Sequence, residues 1–113
     1  MKSKEITFKN TFQQNDEINE DFNISFITYI EFLGYKNASS VTEEFIALAD
    51  VIIINKVIMD ICVKLRKSNR IKLPDAIIAS TAMAFDYTLI TNNEKDFRNI
   101  EGLKIINPYY VPK

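Results

Sequence analysis

The sequence predicts an α/β fold, a three-layer α/β/α sandwich built on a mainly parallel sheet. Short runs rich in β-branched and apolar residues, at 24–28, 51–54, 88–91 and 103–106, alternate with helical stretches, and this alternation is the pattern of crossover connections. The run Val51-Ile-Ile-Ile54 is continuously apolar, as expected of a strand covered on both faces. The stretch Asp75–Phe85 is helical in composition and nearly free of charge, so it is expected in the interior.

The elements follow in order. Residues 1–23 form an atypical polar segment, with Phe8, Phe12, Ile18 and Phe22 at near-helical spacing, so a weak amphipathic helix or a loose arm is expected there. The domain proper is expected to span 24–113. Ile24–Thr28 reads as a strand. Thr28-Tyr-Ile-Glu31 matches a capping box, which opens a helix that stops near Gly34. Ser40-Val-Thr-Glu43 repeats the pattern and opens a helix to about Ala49. After strand 51–54, Asn55 caps a helix with an apolar stripe of Val57, Ile58, Ile61, Cys62 and Leu65, and its last turn carries Arg66 and Lys67. Pro74 starts the next helix. Strand 88–91, a polar stretch anchored by Phe97, and strand 103–106 complete the domain. The chain from Asn107-Pro108 onward is expected to be extended.

Composition narrows the chemistry. The chain has 113 residues, 47% hydrophobic and 26% charged, with a net charge of -1, in the ordinary globular range for one domain. No global basic field exists to attract nucleic acid, so phosphate binding needs a local basic patch or a metal ion. Histidine is absent, which removes imidazole bases and triads of the serine-hydrolase type. The single cysteine, Cys62, lies in an apolar helical stretch and reads as a small buried hydrophobe. No apolar run approaches the roughly 18 residues that span a bilayer, and the first ten residues lack the apolar centre of a signal peptide, so a cytoplasmic protein without a membrane partner is expected.

Three carboxylates stand where ligands sit in such sheets, beyond the carboxyl ends of the strands. Glu31 follows strand 24–28 within one turn, Asp75 opens its helix, and Asp96 follows strand 88–91 by five residues. Each has a plain alternative. An acid in a first helical turn gains about 0.3–1 kcal/mol from the dipole, and Asp96 suits a solvated loop. If the three converge, their repulsion is relieved by protons or a cation. Carboxylate oxygens suit Mg²⁺ or Mn²⁺, which can lower the pKa of a bound water and stabilise charge on a phosphodiester. Arg70, Lys72 and Lys95 lie near these acids in sequence and suit a phosphate backbone, although a solvated surface accounts for them too.

The segments ISFITYIEFLGY (24–35), IKLPDAIIASTAMAFDYTLITNNEKDF (71–97) and IEGLKIINPY (100–109) together resemble a PIN domain, closest to the VapC-type toxins of bacterial toxin–antitoxin pairs. The resemblance implies a Mg²⁺- or Mn²⁺-dependent ribonuclease with an α/β/α sandwich, usually a homodimer, acting on RNA and inhibited by a cognate antitoxin. Glu31 matches the second acid of the family's set and Asp75 the third. The fourth falls between Thr91 and Phe97, with Asp96 the metal ligand and Asn93 a polar contact. Thr28 and Thr91 match hydroxyl residues near the metal or the scissile phosphate, and helix capping and strand ending explain them equally well. The family's opening strand, usually central in the sheet and ending in Asp-Thr-Asn, has no counterpart in 1–23, so that strand is missing or replaced; Glu5–Phe8 is the candidate to fill its place. Two functions are therefore expected. One is RNA hydrolysis by a toxin whose site is weakened by the missing first acid. The other is a catalytically inactive PIN-like remnant that binds a protein partner or itself. A response-regulator reading fails, since no acidic pair lies near the first strand and no lysine in the required place.

Overall fold

The computed structural model describes residues 7–10, 13–14, 17–18, 23–37, 39–91 and 93–107. The chain forms β1 (Thr7–Asn10), β2 (Gln13–Gln14), β3 (Glu17–Ile18), β4 (Asn23–Ser25), α1 (Phe26–Leu33), α2 (Ser40–Ala47), β5 (Asp50–Ile52), α3 (Lys56–Ser68), α4 (Leu73–Ala84), β6 (Tyr87–Ile90), α5 (Glu94–Phe97) and β7 (Lys104–Ile106). Five strands form one sheet in the order β5-β4-β1-β6-β7, while β2 and β3 pair as a small hairpin. β4 pairs with β5 and β6 with β7 in parallel, and β1 runs antiparallel to both of its neighbours. Four of the five strands thus share one direction, as the α/β pattern requires. The step from β4 to β5 moves one way along the sheet and the step from β5 to β6 moves back. Right-handed crossovers then put α1 and α2 on one face and α3 and α4 on the other.

The N-terminal segment departs from the expectation of a weak helix or loose arm, while β1 overlaps Glu5–Phe8, the candidate for the missing strand. It contributes strands, not a helix, and β1 takes the central place in the sheet. Only 12 residues (11–22) separate β1 from β4. A parallel neighbour needs a crossover of a dozen residues or more, usually helical, whereas an antiparallel one needs only a short link. The described part of this link is the β2–β3 hairpin and holds no helix, which suits the antiparallel direction of β1. Its first residue, Thr7, pairs with Ile90 and its last, Asn10, with Tyr87, so the strand ends at the amino ends of the parallel set. The expectations on Phe12, Phe22 and the chain beyond Asn107 fall outside the described residues.

Several boundaries move for local reasons. β4 ends at Ser25, whose hydroxyl accepts from the Ile27 amide (3.2 Å) and caps α1. Thr28 is therefore inside the helix, and no capping box joins it to Glu31. α2 starts at Ser40, one residue before the expected position, with the Ser39 carbonyl accepting from Glu43 N (3.0 Å). β5 is at the sheet edge, so its residues are exposed or half-buried where full cover is expected, and Ile53 just after it is 66% exposed. Asn55 caps α3 as its sequence suggests, its Oδ1 accepting from Ile58 N at 2.9 Å. In the α3 stripe Ile58, Cys62 and Leu65 are buried, while Val57 faces solvent. Gly34 closes α1; a Cβ there meets the Ile30 carbonyl oxygen at 2.6 Å.

The core explains why α4 carries so little charge. Every residue from Asp75 to Ala82 is buried. Ile78, Ala79 and Ala82 pack with Leu65, Leu89, Phe97 and Ile100, and Ala76 and Ile77 pack with Cys62. Ser80 and Thr81 are tolerated inside because their hydroxyls donate to the carbonyls of Ala76 (2.6 Å) and Ile77 (2.7 Å). No described helix is long and apolar enough to cross a membrane.

Candidate active site

α4 ends two residues short of β6, so its other end lies toward the carboxyl end of that strand. Pro74 sits in its first turn, and the Lys72 carbonyl accepts from Ala76 N (2.8 Å). Lys72 is the cap residue and makes no side-chain capping bond. Asp75 follows, only 4% exposed. A surface acid in a first turn needs no purpose beyond the dipole, but burying a carboxylate costs more than the dipole returns. Capping alone therefore does not account for Asp75.

The second acid comes from the turn after β6. Thr91 is fully buried; its amide donates to the Ile106 carbonyl (2.9 Å), and its Oγ1 accepts from Asn93 N (2.9 Å). This local bond turns the chain out of the strand and into α5. Asn93 Nδ2 then donates to Asp96 Oδ2 at 2.6 Å, and the buried Phe97 anchors the turn in the core. Asn93 thus orients Asp96, in keeping with a polar contact role.

Asp75 and Asp96 line one cavity of about 290 Å³ together with Arg70, Lys72, Lys95, Asn69, Asn99, Ile71 and Ile100. Arg70, Lys72 and Lys95 are exposed and make no ion pair among the described residues. Three cations surrounding two acids leave this pocket locally positive in a chain whose net charge is -1.

The α1 side contributes differently. Thr28 is 1% exposed, in the first turn, and its hydroxyl has no partner among the described residues. Glu31 lies one turn further along, half-buried. Neither lines the cavity; Phe26 and Ile27 of α1 and the cavity residue Ile71 pack against the same buried cluster of Cys62, Ala76 and Ile77. Among the described residues no three acidic, cysteine or histidine side chains stand close enough to share a metal ion. Asp75 and Asp96 therefore meet at one cavity, and Glu31 is not gathered into a tight cluster with them. Asn69, Ile71, Asn99 and Ile100 were not singled out by the sequence. Asn69 had a signal, since an asparagine after the last turn of a helix is a common stop; Asn99 and Ile100 had none.

The family profile of the PIN domain matches residues 9–103. The chain belongs to the PIN domain family. Among solved structures this PIN domain is similar to a toxin–antitoxin complex from Klebsiella pneumoniae, 37% identical, TM-score 0.65, over 79% of this chain and 75% of that one. It is also similar to VapBC2 from Rickettsia felis bound to a promoter DNA fragment, 26% identical, TM-score 0.68, over 79% and 76%. VapBC-1 from nontypeable Haemophilus influenzae is 27% identical, TM-score 0.68, over 82% and 78%. No curated protein matches the chain. The neighbours make it a PIN domain of the VapC type. PIN domains generally use divalent ions, and the donors here are oxygens: the carboxylates of Asp75 and Asp96 at the cavity, with the carboxamides of Asn69 and Asn99 lining it and that of Asn93 beside Asp96. That set fits a hard cation such as Mg²⁺, which binds through one or two carboxylates plus waters and substrate phosphates.

Proposed function

We propose that this PIN domain hydrolyses RNA phosphodiester bonds as the toxin of a toxin–antitoxin pair. One observation carries the reading: the buried Asp75 shares a cavity with Asp96, and three cations without an ion pair among the described residues ring it. Asp75 and Asp96 hold Mg²⁺ or Mn²⁺, with Glu31 the third acid from α1. When bound there, such an ion would supply a water of lowered pKa and offset charge on the phosphodiester. Arg70, Lys72 and Lys95 attract and orient the RNA backbone. Asn93 keeps Asp96 turned toward the ion, and Thr91 fixes Asn93. The Thr28 hydroxyl, buried and without a partner, is a donor for a phosphate oxygen at the start of α1, where the helix dipole also favours an anion.

The partners follow from the same reading. The solved neighbours are toxin–antitoxin complexes, which supports a cognate antitoxin for this chain. Tyr29, Ile30, Leu33 and Tyr35 are exposed in and after α1, and such apolar surface suits a protein partner. A cytoplasmic homodimer is the accompanying expectation.

The test is RNA cleavage in Mn²⁺ by the wild type beside Asp75→Asn. Loss of at least about 100-fold is expected, since even outer-shell partners of a metal cost about 10–100-fold. Equal cleavage by both proteins would remove the proposal. A second reading is favoured by two facts: no three-acid cluster exists among the described residues, and β1 ends at the far rim of the sheet. Here the chain is an inactive PIN module that binds a partner or itself. Calorimetric absence of Mg²⁺ and Mn²⁺ binding by a folded protein would select it.

A further inference from the structure

We propose that the open groove between α3 and the first turn of α4 is a docking site for an acidic amphipathic helix of a protein partner. The groove lies apart from the cavity of Asp75 and Asp96, with which it shares no lining residue, and no residue of α1 lines it. α3 carries two rows at the same spacing. Ile58, Cys62 and Leu65 stand at i, i+4 and i+7 and are buried in the core. Met59, Val63 and Arg66 repeat that spacing one residue on, about 100° further round the helix. A helix that serves only its own core needs one apolar row. The second is left outside: Met59 is 44% exposed, Val63 52%, and Leu73 at the start of α4 53%. With Ile77 they line a groove of about 570 Å³, well within the range of binding sites, about 300–1,000 Å³.

The rim decides the occupant. Arg66 and Lys67 stand at the end of the groove, no acid lines it among the described residues, and neither cation makes an ion pair among them. The negative end of the α3 dipole accounts for cations in a last turn, but not for the apolar row that leads to them. Met59 to Arg66 covers two turns, about 11 Å. An apolar track of that length ending in two cations complements a helix with apolar residues at i, i+3, i+4 and i+7 and acids at one end of that face. A second copy of this chain fits less well. Asp60, the one acid of α3, is held by Lys56 of its own helix at 2.9 Å, so a copy brings cations to the groove and no uncommitted acid.

The test uses the full chain and three labelled synthetic peptides of about 18 residues, followed by fluorescence anisotropy. One carries leucines at the helical spacing flanked by glutamates, the second has lysine for every glutamate, and the third is a scramble of the first. The acidic peptide is expected to bind about tenfold more tightly than its lysine twin and to weaken with added salt. Val63→Glu puts a charge on the groove floor and should weaken it by about tenfold or more. The double variant Arg66→Glu, Lys67→Glu should reverse the preference, so that the lysine twin binds better, which a merely structural role for the cations would not do. Both variants should keep the thermal midpoint within about 4 °C of wild type, as surface changes do. Equal binding of the three peptides, or an unchanged preference in the double variant, would overturn the proposal. So would a dimer that Val63→Glu abolishes, which assigns the groove to a second copy, or a much larger fall in the midpoint of Val63→Glu, which shows that this chain covers the groove itself. RNA cleavage in Mn²⁺ is read separately, so the groove and the nuclease reading stand or fall independently.

Discussion

The two sides of the candidate site are built to different standards. On one side α4, β6 and α5, whose Ile78, Ala79, Ala82, Leu89 and Phe97 share one buried cluster, carry Asp75, Thr91, Asn93 and Asp96, each supported by burial or by a local hydrogen bond. On the other, α1 is eight residues long, Thr28 is its one buried residue, and Tyr29, Ile30 and Leu33 face outward. Stability and preorganisation are concentrated on the first side. The second carries a buried hydroxyl without a partner, which lowers stability where it sits. Such an orphan is expected where a ligand completes the structure, so the α1 side is the part of the site that substrate or partner is expected to order.

The largest effect should appear on the dense side. Leu89 is fully buried in the cluster that joins β6 to α4. Leu89→Ala should cost about 2–5 kcal/mol in chemical denaturation, from lost burial and the cavity left behind. Ile30→Ala, on the exposed face of α1, should stay within about 0.5 kcal/mol. Similar losses for both would erase the contrast between the two sides.

The next effect has the opposite sign. Thr28→Val keeps the shape and removes the unpaired hydroxyl, so stability should rise by about 1–3 kcal/mol, the usual cost of leaving a buried polar group unsatisfied. RNA cleavage should fall in the same variant, because the donor offered to a phosphate oxygen is gone. A variant destabilised by the change would show that the hydroxyl has a partner in solution, and the reasoning about α1 would fail with it.

How far the sequence carried this picture also divides between the two sides. The α4–β6–α5 side was legible because its signals are local: Pro74 at a helix start, a nearly uncharged helix, a β-branched strand, and Phe97 as anchor. The convergence of Asp75 and Asp96 on one rim followed from the ligand rule for α/β sheets. The N-terminal segment was legible only in part: Glu5–Phe8 was the candidate for the central strand, and β1 overlaps it at Thr7 and Phe8. Whether residues 7–10 enter the sheet depends on backbone pairing with β4 and with β6, the latter remote in sequence, and the near-helical spacing of Phe8 and Ile18 with their apolar neighbours gave a false cue. Thr28 was misread because Ser25, three residues earlier, offered an equally good capping hydroxyl, and competition between two adjacent caps is settled by packing. Glu31 was placed near the site by the ligand rule, from a strand expected to run to Thr28; β4 ends at Ser25, so Glu31 lies in the second turn of α1 and does not line the cavity.

The smallest expected change in stability tests the support of a single acid. Asn93 Nδ2 reaches Asp96 Oδ2 at 2.6 Å, in an exposed contact across three residues of chain. Water can replace such a bond, so Asn93→Ala should alter the unfolding free energy by no more than about 0.5 kcal/mol. Its effect on catalysis should be larger, about 10-fold or more in kcat, because a carboxylate that holds an ion loses its orientation when its outer partner is removed. Asn93→Asp supplies the contrast: it puts a like charge beside Asp96, and the two then compete for the same ion or share a proton. If Asn93→Ala cleaves RNA at the wild-type rate while Asp96→Asn does not, Asp96 is held by the fold of α5 alone. The hydrogen bond is then incidental, and the precision credited to this side of the site belongs to Phe97 and the core beneath it.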